Sequence, residues 1–155
     1  MKSKQSTIDK IQKGLTPLQS KILEELWLHY ENKADWPILR EVYRNHGKQQ
    51  VDVALRNLGG GIVNEESGGR RWPCLKLTLL GILLTKKGPE MIKLLVKFFE
   101  FQRELFKSNP QKELSSSDEV GKALSMKSED LDLLGRLLWL GNVGGGRGKG
   151  IEVFI

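Results

Sequence analysis

Groups able to move protons, attack a carbon or hold a metal are few in this chain of 155 residues: two histidines, His29 and His46, and one cysteine, Cys74. Each histidine lies within a run of apolar residues at helical spacing, which suits a structural imidazole better than a catalytic one. A lone thiol and two scattered imidazoles cannot assemble the usual tetrahedral zinc set, and the carboxylates follow no hard-cation pattern. Gly144-Gly145-Gly146-Arg147-Gly148-Lys149-Gly150 has a superficial likeness to a phosphate-binding loop. Val143, however, stands where that motif has its first glycine, Gly150 where it needs Ser or Thr, and a strand pattern follows where a helix should. The expectation is therefore a protein that is not an enzyme, with no cofactor, no metal and no small-molecule substrate.

The elements that could position other chemistry must come from an ordinary core, or from two small ones, which 39% hydrophobic residues allow. The longest apolar stretch, Leu77 to Leu84, is interrupted by Thr78 and Gly81 and falls far short of the roughly 20 residues of a membrane span. The start, Met1-Lys2-Ser3-Lys4-Gln5, leads into no apolar signal region, and a single Cys74 fits a reducing compartment. A soluble, cytoplasmic protein is expected. Its net charge of +6 is unevenly spread: residues 1–88 hold 15 Lys and Arg against 9 Asp and Glu, whereas residues 89–155 hold 10 of each.

After a polar, basic lead-in over 1–14, Thr16-Pro17-Leu18-Gln19 reads as a capping box with proline at the first helical position. Leu18, Ile22, Leu23, Leu26, Trp27 and Tyr30 then recur at helical spacing. Asp35 is expected to cap a second helix that turns Ile38, Leu39, Val42, Tyr43 and His46 inward and stops at Gly47. A third, over 48–58, buries Val51, Ala54, Leu55 and Leu58 and ends against Gly59-Gly60-Gly61. Periodicity then becomes extended, and Glu66-Ser67-Gly68-Gly69 has hairpin chemistry between Ile62 to Glu65 and Arg70 to Thr78, with Pro73 implying an edge. Pro89 opens a long helix to about Lys107 whose aromatic and aliphatic residues cover most of its circumference, so that it needs cover on two sides. A connector from Gln111 to Ser117, two helices ending near Met126 and Leu140, and a glycine-tipped hairpin over 143–155 complete the reading. Lys48 to Thr78 and Ser128 to Ile155 share one order of parts, which suggests a duplicated unit.

Three helices, the latter two joined at a glycine and followed by a hairpin, resemble the winged helix-turn-helix family over residues 15–88. The resemblance rests on element order. It implies a mainly α fold with small β-hairpins, in tandem if the duplication holds, with the long helix joining the two units. In that family the third helix enters the major groove and the hairpin wing lies along the backbone or minor groove. Here the outward residues of the third helix are Lys48, Gln49, Gln50, Asp52, Val53, Arg56 and Asn57. Gln and Asn match an adenine edge in two places and Arg a guanine edge, while Asp52 would repel phosphate. Arg70, Arg71 and Lys76 on the wing over 62–78 suit phosphate or minor-groove contact, as do Arg147 and Lys149 on the last hairpin. The second unit begins its corresponding helix with Ser128-Glu129-Asp130-Leu131-Asp132, which would repel DNA, so residues 89–155 are expected to pack or self-associate.

The expected function is a transcriptional regulator, a homodimer on double-stranded DNA and nucleoid-associated. The alternatives are a winged helix used for protein contact, the amino-terminal module of a larger protein, or a tandem unit of the kind that replication initiators use.

Overall fold

The computed structural model describes residues 2–69, 71–109 and 117–140, with the backbone alone for residues 2–6 and Ser117. Among these residues the chain is mainly helical, with eight helices and one two-stranded antiparallel hairpin. It divides into two compact units, Met1–Gly88 and Pro89–Ile155. No helix of the described residues is long and apolar enough to cross a membrane.

The first unit opens with α1 (Lys2–Gly14), so the segment read as a polar lead-in is helical. Ile8 and Ile11 are half-buried, and Gln12 Nε2 donates to the Leu84 carbonyl at 3.2 Å, which fixes the helix to the end of the unit. The α2 helix (Pro17–Lys33) starts as its sequence dictates. Thr16 Oγ1 accepts from Gln19 N at 3.2 Å while Gln19 Oε1 accepts from Thr16 N at 2.9 Å, satisfying two donors reciprocally. Ile22, Leu23, Leu26 and Trp27 form its buried face. Gln19 is buried with them and reaches the Ala54 carbonyl of α4 (Lys48–Leu58) at 3.5 Å.

The second helix begins later than expected. Asp35 Oδ1 is bonded to Trp36 N at 2.9 Å, and α3 spans only Leu39–His46, with Ile38 at its cap position and no side-chain cap. Pro37 explains the delay, because the residue before a proline is pushed out of helical geometry. Trp36 stacks on Tyr30, with ring centroids 4.4 Å apart, and the next residues are drawn to the hairpin. Leu75 N donates to the Pro37 carbonyl and Leu39 N to the Pro73 carbonyl, each at 2.9 Å, around a bridge between Ile38 and Cys74. Pro73 is thus not at an open edge: the hairpin is tied to the α2–α3 link on one side and to its partner strand on the other.

The strands are β1 (Val63–Glu66) and β2 (Cys74–Leu77), paired Val63 with Leu77 through Glu66 with Cys74, so β2 is shorter than the stretch Arg70 to Thr78 suggested. Val63, Leu75 and Leu77 are buried with Leu39, Val42, Val51, Ala54 and Leu58. Leu55, expected to be buried, is half-exposed. The short α5 (Leu79–Leu83) is capped by Thr78 and closes against the hairpin entrance. Gly81 makes that approach possible, because a Cβ there would collide with the Ile62 carbonyl.

In the second unit, α6 spans Gly88–Ser108, α7 Ser117–Leu124 and α8 Ser128–Leu140. The α6 helix is buried along one stripe, Met91, Leu95, Phe98 and Gln102, rather than on two sides. Phe99 and Phe106 are exposed by 42% and 45%. The hairpin expected over 143–155 lies outside the described residues.

Candidate nucleic-acid interface

Only Gly47 separates α3 from α4, and it serves both helices. Its N–H closes α3 on the Tyr43 carbonyl at 2.7 Å, and its carbonyl accepts from Val51 N at 3.1 Å to begin α4. A φ of +88° with ψ of 137° is backbone that a side chain disfavours, so glycine permits the sharp turn that presents α4.

With Val51, Ala54 and Leu58 turned to the core, the opposite arc of α4 carries Gln49, Gln50, Val53, Arg56 and Asn57, all exposed. Lys48 is exposed in the first turn. Asp52, expected on the outward face, is instead half-buried on the flank. Its carboxylate accepts from the Tyr43 hydroxyl at 2.5 Å. Burial first, then that hydrogen bond and the negative charges of Asp52 and Glu65, push Tyr43 up to about 12. Tyr43 also meets Trp72 edge-on at 6.3 Å, so one side chain links α3, α4 and the return arm of the hairpin.

The two flanks of α4 differ. On one side an open depression of about 340 Å³ runs between the start of α2 and α4, lined by Thr16, Leu18, Gln19, Gln49, Gln50, Val53, Ala54 and Asn57, with no carboxylate. On the other, a depression of about 470 Å³ between α4 and β1 places Arg56 beside Asp52 and Glu65. A phosphate would be repelled from the second depression. The flank between the start of α2 and α4 carries no such repulsion.

On the hairpin Arg71 is exposed, while Lys76 is half-buried and 3.7 Å from Glu66, so its charge is locally balanced. The structure brings Lys48, Gln49, Gln50, Val53, Arg56 and Asn57 onto one helix and sets Arg71 and Lys76 on the hairpin. Arg70, Arg147 and Lys149 lie outside the described residues. His46 Nε2 meets Glu25 Oε2 at 2.5 Å, and His29 Nδ1 meets the Asp35 carbonyl at 2.7 Å. Among the described residues no group of three His, Cys, Asp or Glu is placed to hold a metal ion.

Sequence reasoning overlooked Tyr43, Trp72 and Glu65. Periodicity assigns Tyr43 to the core, yet a phenol placed there needs a partner for its hydroxyl, and in the structure Asp52 of α4 accepts from it. Set beside known proteins, the chain matches no family model, no curated protein and no solved structure.

Proposed function

We propose that residues 15–88 form a winged helix-turn-helix that binds duplex DNA, with α4 in the major groove and the β1–β2 hairpin against the sugar-phosphate backbone. The observation that carries this reading is the exposed arc of α4. It combines Gln49, Gln50, Arg56 and Asn57, the side chains that pair with base edges, and Tyr43 holds the helix's one acidic residue, Asp52, off that arc. Arg71 supplies a cation where a wing meets phosphate, and the chain's positive excess lies within residues 1–88, half of it in this module and half in residues 1–14. The role that suits such a module is transcriptional regulation.

The second unit supports a proposal of self-association. Phe99 and Phe106 lie two helical turns apart on one face of α6 with the exposed Arg103 between them, and exposed aromatic side chains beside an arginine suit a partner site. Two-fold pairing would set two copies of α4 on a palindromic site about one helical turn apart. Phe99→Glu should then lower the mass seen in light scattering.

The deciding measurement is the affinity for a mixed-sequence duplex, by fluorescence anisotropy, across a salt series. Contact with several phosphates gives a linear fall of log affinity with log salt, spanning orders of magnitude between dilute and physiological buffer. No association even in dilute buffer refutes the reading.

A further inference from the structure

On the surface of α4, the residues nearest Val53 are those three and four positions away on either side: Gln49, Gln50, Arg56 and Asn57. An apolar side chain, 48% exposed, therefore sits at the centre of four polar ones, each able to make paired hydrogen bonds. Neither the helix nor the core accounts for it. A β-branched residue in an exposed helix interior is disfavoured relative to alanine or lysine, and the buried stripe of α4 is already supplied by Val51, Ala54 and Leu58. Leu18 of α2 borders the same depression and extends the apolar surface beside Val53.

We infer that Val53 is a specificity-determining residue that reads the 5-methyl group of a thymine, an inference that rests on the DNA-binding reading above. The thymine 5-methyl is the one methyl group on the major-groove edge of the base pairs; at the same position cytosine has only C5–H. A valine ringed by base-edge readers has that methyl as its complement. Set against a cytosine edge, the same valine would meet only C5–H and lose the methyl contact. Val53 thus selects thymine by covering the methyl.

Replacing thymine by uracil removes the methyl and leaves every hydrogen-bonding atom in place. The preferred duplex is first selected from a random library with the full-length protein. Its thymines are then changed to uracil one at a time, and affinities are measured for the wild-type protein and for Val53→Ala, whose folding is checked by circular dichroism. The expected result is a loss of about fourfold at one position per bound α4, the value of one buried methyl, and no loss at that position for Val53→Ala. Sequence-selective binding in which no thymine responds to uracil overturns the inference and leaves the DNA reading standing. So does a uracil penalty that persists unchanged in Val53→Ala, or binding with no sequence preference. Absence of any duplex binding overturns both.

Discussion

The helices α4 and α8 each carry an arginine among apolar residues, Arg56 and Arg136, and each buries one stripe, yet they offer solvent opposite surfaces. The exposed arc of α4 is Gln49, Gln50, Val53, Arg56 and Asn57; the exposed stripe of α8 is Glu129, Asp132, Arg136 and Trp139. The buried sides do equivalent work, Val51, Ala54 and Leu58 in one and Leu134, Leu137 and Leu138 in the other. Anchoring a helix and equipping it to meet a polyanion are thus separate tasks, carried by separate residues. Of the two, α4 alone carries an exposed arc of Gln, Arg and Asn side chains with its acidic residue engaged by a neighbouring hydroxyl, through the Tyr43–Asp52 bond.

The most direct way to break this contrast is to give α4 the charge of α8. Gln49→Glu with Gln50→Glu places two carboxylates on the reading arc, where they lose base contacts and repel phosphate. Duplex affinity should fall on the order of a hundredfold, with helix content unchanged in circular dichroism. Retention of wild-type affinity would show that α4 does not face the DNA.

Single substitutions divide the labour within the unit. Arg56→Ala should reduce discrimination between sequences by about 1–3 kcal/mol. Arg71→Ala should weaken all sequences nearly alike and lower the salt slope by about one. Competition binding with selected and scrambled duplexes separates the two, and a reversal would mean that the hairpin reads and the helix anchors.

These assignments also mark how far the sequence was legible. The capping box at Thr16, the glycine stops at Gly47 and Gly59, and the buried stripe of α4 apart from Leu55 follow from local rules that act within a few residues and are present in the structure. The late start of α3 at Leu39 does not. There a bridge between Ile38 and Cys74, far apart in the chain, competes with a helix cap at Asp35 and wins. The partner of Asp52 was hidden for the same reason: the helical period sets Asp52 on the flank of α4, but the hydroxyl that meets it comes from another helix. The helical state of residues 2–14 was masked by their polarity. The hairpin expected over 143–155, with Arg147 and Lys149, lies outside the described residues.

The Tyr43–Asp52 bond can be tested through stability. Tyr43→Phe should cost about 1 kcal/mol near neutral pH, the usual value of a partly buried hydrogen bond. Tyr43 titrates near 12 in the folded chain against an ordinary value of 10, so the folded state favours the protonated phenol. The contribution is complete below pH 10 and is lost as pH rises through 12. Denaturant melts over that window should show the wild type converging on Tyr43→Phe. A tyrosinate absorbance step near pH 12 should also vanish in the variant.

The smallest effect is expected where the contrast is sharpest. Asp52→Asn keeps an acceptor for Tyr43 but removes a charge beside Arg56, close to where α4 would meet DNA, and should raise duplex affinity severalfold in dilute salt. Glu129→Gln with Asp132→Asn removes two charges from α8, and both are exposed. If the second unit stands clear of the DNA, those charges act only through a field that screening limits to about 8 Å at physiological ionic strength. The α8 variant should then change affinity by less than about twofold there, although it alters net charge by twice as much. Anisotropy titrations of both variants at two salt concentrations make the comparison. An α8 variant that gains as much as Asp52→Asn, with a steeper salt dependence, would place α8 at the phosphate backbone and make the acidic helix part of the interface.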